Sequence, residues 1–528
     1  MNRAKQLIKQ ANGSHSVGNA AILISSSYLL SRLLGLLRDR LLIAHFGKGP
    51  TLDAYLAAFS LPDLLFSLLV SGAFAVAFIP VFAAELRKDD RQQAWDMAAS
   101  LLNLMVIITI VAAALGSIFA GPLVSLTAAG FHGSQHDLTV ALTRIMLVTP
   151  ILFAVSSVLG SIQQAMGRFL VYALASVLYN VGIIFGIVAL SNHFGIFGVA
   201  WGVVIGTVLQ ALLQWAGLAG LGFHYRPILK LRLKGVRKVL LLMGPRAIGQ
   251  GIDQINFVVE KAIGSTLSAG TVTAYTLATN LKNVPLSLIG AAIATAAFPR
   301  MSAKVAAGRQ AELAEDVSET ARLILFLALP SAAVAIVARG YLVRLLYGFG
   351  DADTANTLGW FAGTIVFTSL FFLVSRIFYA YQDTRTPLLV SSVSIVINLF
   401  LSVILSHRFG VSGLAMAGSF VDAMETIVLL AILQRRQIPI GLGRIIHGSW
   451  RMLVAATVTG TGLFGVIHWV VPLYAVDRGF TVVGPKFAVI AMAGTVLYIG
   501  TCHLLRLNEA GMFLRRFREL IARPLGLT

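Results

Sequence analysis

Long apolar runs separated by short polar segments make up the chain from one end to the other. Fourteen of these runs are long enough to cross a bilayer as helices, which takes about 20 apolar residues. They fall at 20–46, 52–84, 95–120, 138–162, 169–191, 196–220, 239–264, 271–299, 321–338, 357–380, 387–406, 411–433, 451–472 and 485–505. The runs are continuous rather than alternating, so the pattern predicts helices and argues against a membrane β-barrel. The expected fold class is an all-α polytopic membrane protein with about 14 transmembrane helices.

Composition agrees. The 528 residues are 57% hydrophobic and 12% charged, where soluble chains carry about 25% charged residues. The net charge of +19 sits mainly between the runs, which points to orientation in a membrane and away from nucleic acid. Arg226, Lys230, Arg232, Lys234, Arg237 and Lys238 lie between the sixth and seventh runs, and Arg435, Arg436, Arg444 and Arg451 between the twelfth and thirteenth. Alternate segments are much poorer in Lys and Arg, so both termini are expected on the cytoplasmic side. Cys502 is the one cysteine; no disulfide framework, metal site or cofactor is expected. The first run is too long and too charged for a signal peptide and is read as a retained helix. In the 507–528 tail, Phe513, Phe517, Leu520 and Ile521 share one helical face and arginines the rest. An interfacial anchor and a plain orienting tail both fit.

The chain carries an internal duplication. Arg32, Gly35 and Asp39 recur as Arg246, Gly249 and Asp253, all at an offset of 214. Ala54-Tyr55 and Leu61-Pro62 have counterparts in Ala274-Tyr275 and Val284-Pro285. Phe194-Gly195 with Gly198 and Ala200 recurs as Phe409-Gly410 with Gly413 and Ala415, at an offset of 215. An ordered series of matches predicts two six-helix lobes of like orientation, 1–222 and 223–434, followed by two extra helices at 435–506.

Charge inside such spans is costly, about 2.5–3.5 kcal/mol for a central Arg, Lys or Asp. The first helix nevertheless holds Arg32, Arg38, Asp39 and Arg40, and the seventh holds Arg246, Asp253, Glu260 and Lys261. Arg32 with Asp39, and Arg246 with Asp253 and Glu260, recur at heptad spacing and so share a helix face. Two such faces across a cavity would make an anion or ion site. Structural pairing across helices is the alternative, and snorkelling to the interface is open for Arg38 and Arg40. Asn180 and Asn398 are expected as interhelical hydrogen bonders. Asp53 and Asp63 flank the second helix and fit a cap or surface role. The glycines at 182, 186, 198, 202 and 206 fit close helix packing.

Ser31-Arg32-Leu-Leu-Gly35-Leu-Leu-Arg38-Asp39, Asp53-Ala54-Tyr55, Leu61-Pro62, Ser71-Gly72-Ala73-Phe74 and Tyr379-Ala-Tyr-Gln382-Asp383-Thr384-Arg385-Thr386-Pro387 resemble the signatures of MurJ/MviN-type lipid II flippases. The resemblance covers almost the whole chain, including the last two helices. It implies translocation of undecaprenyl-pyrophosphate-linked peptidoglycan precursor across the bacterial inner membrane by alternating access, not an enzymatic reaction. The 435–506 helices would form a groove for the lipid tail, and a membrane potential or ion gradient would drive transport. Arg32 and Arg38 are the implied phosphate ligands, and Asp53 an implied essential acid. Membrane lipids are implied partners, and cell-wall synthesis proteins are candidates. Where many members carry arginines in the second and eighth helices, this chain has Phe66, Ser67 and Asn280; Arg246 or Lys261 is the expected replacement. Another lipid-linked oligosaccharide or a small molecule is the alternative cargo. An envelope enzyme would need more than the solvated His132, His136 and Asp137.

Overall fold

The computed structural model describes residues 17–70, 73–87 and 91–511. Among them every regular element is helical. The long helices are α1 (Val17–Phe46), α2 (Pro50–Leu86), α3 (Arg91–Ile118), α4 (Ser134–Ala165), α5 (Phe169–Phe194), α6 (Ile196–Gly217) and α7 (Lys234–Ser265). They continue with α8 (Thr271–Ala306), α9 (Gln310–Val337), α10 (Ala362–Ala380), α11 (Arg385–Phe409), α12 (Val411–Arg435), α13 (Leu442–Val470) and α14 (Phe480–Leu504). Each overlies one of the fourteen apolar runs. Twelve are long and apolar enough to cross a membrane; the other two, α1 and α7, are 30 and 32 residues long and carry the charged stripes. The expected tail helix around Phe513–Ile521 lies outside the described residues.

Local breaks follow from the sequence. α2 is built of Pro50–Ala58, Ser60–Leu69 and Ala73–Leu86. Pro62 has no N–H to give the carbonyl four residues back; Thr143 of α4 donates its hydroxyl to that carbonyl, on Ala58, at 3.5 Å. The α5–α6 and α11–α12 turns are near copies. Gly195 has φ 55°, ψ −137° and Gly410 has φ 57°, ψ −142°, a conformation that side chains exclude. Three residues on, a Cβ at Gly198 or Gly413 would run into the backbone of Leu190 or Leu405, at 2.5 and 2.2 Å. Along α5 and α6 the backbones touch directly: a Cβ on Gly182 would stand 2.2 Å from the Cα of Gly206, and one on Gly186 2.6 Å from that of Gly202. The expected glycine packing is present.

By packing, the chain divides into two compact units, one ending at Thr273 and one starting at Ala274. The boundary expected from the duplication lies elsewhere, at residue 222; the helix expected to open the second repeat, α7, packs in the first unit. The reason is an antiparallel seam between α7 and α2. Gly251 leaves room for Leu68, whose Cδ2 would lie 2.3 Å from a Cβ there. Ser67 donates to the Gln250 carbonyl at 3.3 Å, and Lys261 to the Leu56 carbonyl at 3.0 Å. The core of the first unit is an aromatic ladder: Phe74, Phe78 and Phe82 stack at 5.2 and 5.0 Å, Trp95 continues at 5.4 Å, and Phe223 of the α6–α7 linker follows at 5.6 Å. Asn103 and Asp96 on α3 hold the same linker through the carbonyls of Arg226 and Ile228 and the Lys230 ammonium.

In the second unit, α9, α13 and α14 enclose a groove of about 430 Å³ lined by Phe326, Pro330, Val334, Phe487, Ile490 and Tyr498. The α10–α11 turn is tied to α12 by Asp383, which accepts from Arg436 and Thr386 at 2.6 Å each.

A charged cluster where α1, α2, α5 and α7 meet

α1 packs on α5, and polar side chains stitch the two together. Ser31 donates to the Ser176 carbonyl at 3.3 Å, and Asn180 donates its amide to Ser31 Oγ at 3.1 Å. Asn180 is therefore the interhelical hydrogen bonder that its mid-span position predicts. Its carbonyl oxygen accepts from Arg38 Nη1 at 3.4 Å.

Arg38 does not snorkel. Its Nε and Nη2 both reach Asp39 Oδ1, at 2.9 and 2.7 Å. The side chains are 23% and 8% exposed. A pair this close and this shielded draws on charge-assisted hydrogen bonding. Tyr55 and Tyr179 lie within electrostatic reach of the guanidinium. Phe66 packs with its ring centroid 5.0 Å from that of Phe153 of α4, the rings tilted by 49°, and Phe153 meets Tyr179 at 5.5 Å. The residue that replaces an arginine of the resembled family thus packs as an aromatic wall.

Lys261 on α7 is only 4% exposed. Besides the Leu56 carbonyl it has the ring of Phe257, 4.6 Å from the ammonium to the centroid. Its neighbour Glu260 is buried and accepts from Asn256 at 3.3 Å. Half-buried Asp63 on α2 lies within electrostatic reach of both Lys261 and Arg38. The structure thus gathers Arg38, Asp39, Asn180, Asp63 and Lys261 in one neighbourhood of the first unit.

Other expected residues are placed elsewhere. Arg32 is half-buried on α1, upstream of the pair. Asp53 is 1% exposed at the start of α2. Its Oδ1 accepts from the Thr273 N–H at 2.8 Å and the Thr273 hydroxyl at 2.6 Å, and its Oδ2 from the Gly270 N–H at 2.5 Å. This is a helix cap supplied from another helix: the carboxylate satisfies orphan donors at the start of α8 and lies at its positive end. Gly270 has φ +87°, and a Cβ there would strike the Lys48 side chain at 2.6 Å. Arg246 and Asp253 lie on α7, but their side chains are outside the described residues. Asn280 is half-buried on α8 in the second unit. Sequence reasoning missed the pairing of adjacent Arg38 and Asp39 and the position of Asp63. The one available signal for Asp63 is an acid inside the apolar run after Leu61-Pro62.

The family model for lipid II flippase MurJ matches residues 42–484. The chain belongs to the MurJ lipid II flippase family. A probable lipid II flippase MurJ of Bdellovibrio bacteriovorus is 27% identical over 503 residues, covering 92% of this chain and 94% of that one. The lipid II flippase MurJ of Burkholderia cenocepacia is 28% identical over 468 residues, covering 85% and 89%. A solved MurJ structure in an inward closed conformation matches with a TM-score of 0.77 at 21% identity, over 92% of this chain and 98% of that one. An inward-facing multidrug resistance MATE transporter of the MOP superfamily matches at 0.65 and 17%, over 79% and 98%. The chain therefore has the MurJ fold and is a multi-pass membrane protein of a transporter family.

Proposed function

We propose that the protein is a flippase that moves lipid II from the inner to the outer leaflet of the bacterial inner membrane by alternating access, with both termini in the cytoplasm. The observation that carries the reading is the shielded cationic cluster of Arg38 on α1 and Lys261 on α7 in a MurJ-family chain. A pyrophosphate–sugar headgroup cannot enter hydrocarbon unaided, because desolvating an unpaired charge is prohibitive. Guanidinium and ammonium groups replace the lost water with charge-assisted hydrogen bonds. Lys261 stands in for the cations absent at Phe66, Ser67 and Asn280. Asp53 acts through the fold, as the cap of α8, rather than by touching cargo.

The groove between α9, α13 and α14, about 430 Å³ and lined mainly by apolar side chains, suits the polyprenyl tail. A membrane potential or an ion gradient supplies the drive. The test is to deplete the protein in its host and quantify lipid II accessible at the outer leaflet. Accessibility falls if the reading is right; unchanged accessibility in a host with no second flippase overturns it.

A further inference from the structure

We propose that Asp63 is a resident stand-in for the cargo phosphate: it balances Lys261 and Arg38 in the empty protein and yields to the anionic headgroup on loading. This rests on the flippase reading above.

The seam between α2 and α7 places the two groups. Ser67 and Leu68 meet Gln250 and Gly251 at one end, and Leu56 meets Lys261 at the other. Asp63 lies between Leu56 and Ser67 on the same strip of α2. An ammonium has three donors. Lys261 uses one on the Leu56 carbonyl and rests against the Phe257 ring; its other donors have no acceptor among the described residues. Asp63 is within electrostatic reach of Lys261 and Arg38, yet its carboxylate makes no hydrogen bond or ion pair among the described residues.

Among the described residues the other charged groups nearby are committed: Asp39 takes two donors of Arg38, and Glu260 takes the Asn256 amide. Among the described residues Arg38 and Lys261 thus have three carboxylates nearby: Asp39 and Glu260, each held by hydrogen bonds, and Asp63, which is not. A headgroup with two fixed negative charges cannot join a cluster that already holds at least as many carboxylates as cations unless a resident carboxylate gives way. Asp39 is held by two hydrogen bonds; Asp63 is held by none. Asp63 turns away, and phosphate oxygens take the donors of Lys261 that the protein leaves open. Release then needs no new group, because Asp63 returns to its place and competes the phosphate off.

The test measures lipid II affinity of the full-length protein in nanodiscs, for wild type, Asp63→Asn and Asp63→Ser, each alone and with Lys261→Met. Each phosphorus of the lipid II pyrophosphate carries one ester oxygen and one strongly acidic oxygen, so the charge of the pyrophosphate is constant. Removing the competitor should tighten lipid II binding by about tenfold, and the gain should vanish in the Lys261→Met background. Phosphatidylglycerol and an uncharged polyprenol should show no such gain. A thermal unfolding midpoint within a few degrees of wild type identifies folded variants, and the two substitutions at Asp63 must agree. Unchanged or weaker lipid II binding in both overturns the role of Asp63 alone. An equal gain with phosphatidylglycerol overturns the assignment to pyrophosphate cargo. Failure of the wild-type protein to bind lipid II at all overturns the flippase reading and this inference with it.

Discussion

Asp53 and Asp63 lie ten residues apart on α2 and have opposite surroundings. Asp53 is sealed and receives three hydrogen bonds from Gly270 and Thr273. Asp63 is half-buried, its carboxylate receives none among the described residues, and two cations lie within its electrostatic reach. The cations divide the same way: Arg38 is clamped by Asp39, while among the described residues Lys261 is held by a carbonyl and a ring. A charge whose partners are all satisfied holds the fold. A charge with open valence is available to a ligand. Residue type alone does not separate the two cases.

The largest test of this contrast is Asp53→Ala. It strips the acceptor from three donors in a sealed site, and unmatched buried donors cost about 1–3 kcal/mol each without adding fully, so a loss of about 2–4 kcal/mol is expected. Thermal unfolding of the purified protein reads it, and Asp53→Asn, which keeps one acceptor, should recover part. If Asp53→Ala unfolds like wild type but no longer binds lipid II, the contrast is the wrong way round. Lys261→Met comes next: lipid II affinity should fall by at least about tenfold. Stability should fall only modestly, since the lost hydrogen bond to Leu56 is partly offset by no longer burying an ammonium. Asp63→Asn should leave the unfolding midpoint nearly unchanged while changing affinity, and a large stability loss there would place Asp63 with Asp53.

The smallest expected effect concerns Asp383, a saturated carboxylate in the α10–α11 turn. Burial pushes its carboxyl up, but hydrogen bonds from Thr386 and the Arg436 guanidinium outweigh that and hold it down at about 2. A depressed value means the stabilisation is complete above the unfolded value of about 3.9 and is lost as pH falls towards about 2. The stability gap between wild type and Asp383→Asn should therefore stay constant down to about pH 4 and close below it. A gap that instead opens on acidification would show that the carboxylate is not held by these donors.

The fold was legible because its determinants are local. Apolar runs of spanning length mark helices, and Gly195 and Gly410 take matching dihedrals because the repeated Phe-Gly-x-x-Gly leaves them no alternative. The place of α7 was not legible. Duplication makes α1 and α7 equivalent in sequence, but the Gly251–Leu68 fit and the Lys261–Leu56 hydrogen bond seat α7 against α2 in the first unit. The site was readable in part. Arg38, Asp39 and Lys261 stand out as charge in an apolar helix. Their partners do not, since residues adjacent on a helix point to different faces and are not expected to pair, and Asp63 acquires its meaning only where α7 crosses it.

The most direct measurement is the initial rate at which lipid II appears on the far face of sealed vesicles reconstituted with the wild-type protein or with Lys261→Met at equal folded amounts. The account predicts flipping by the wild type and a fall of at least about tenfold in the variant. Equal rates would contradict it.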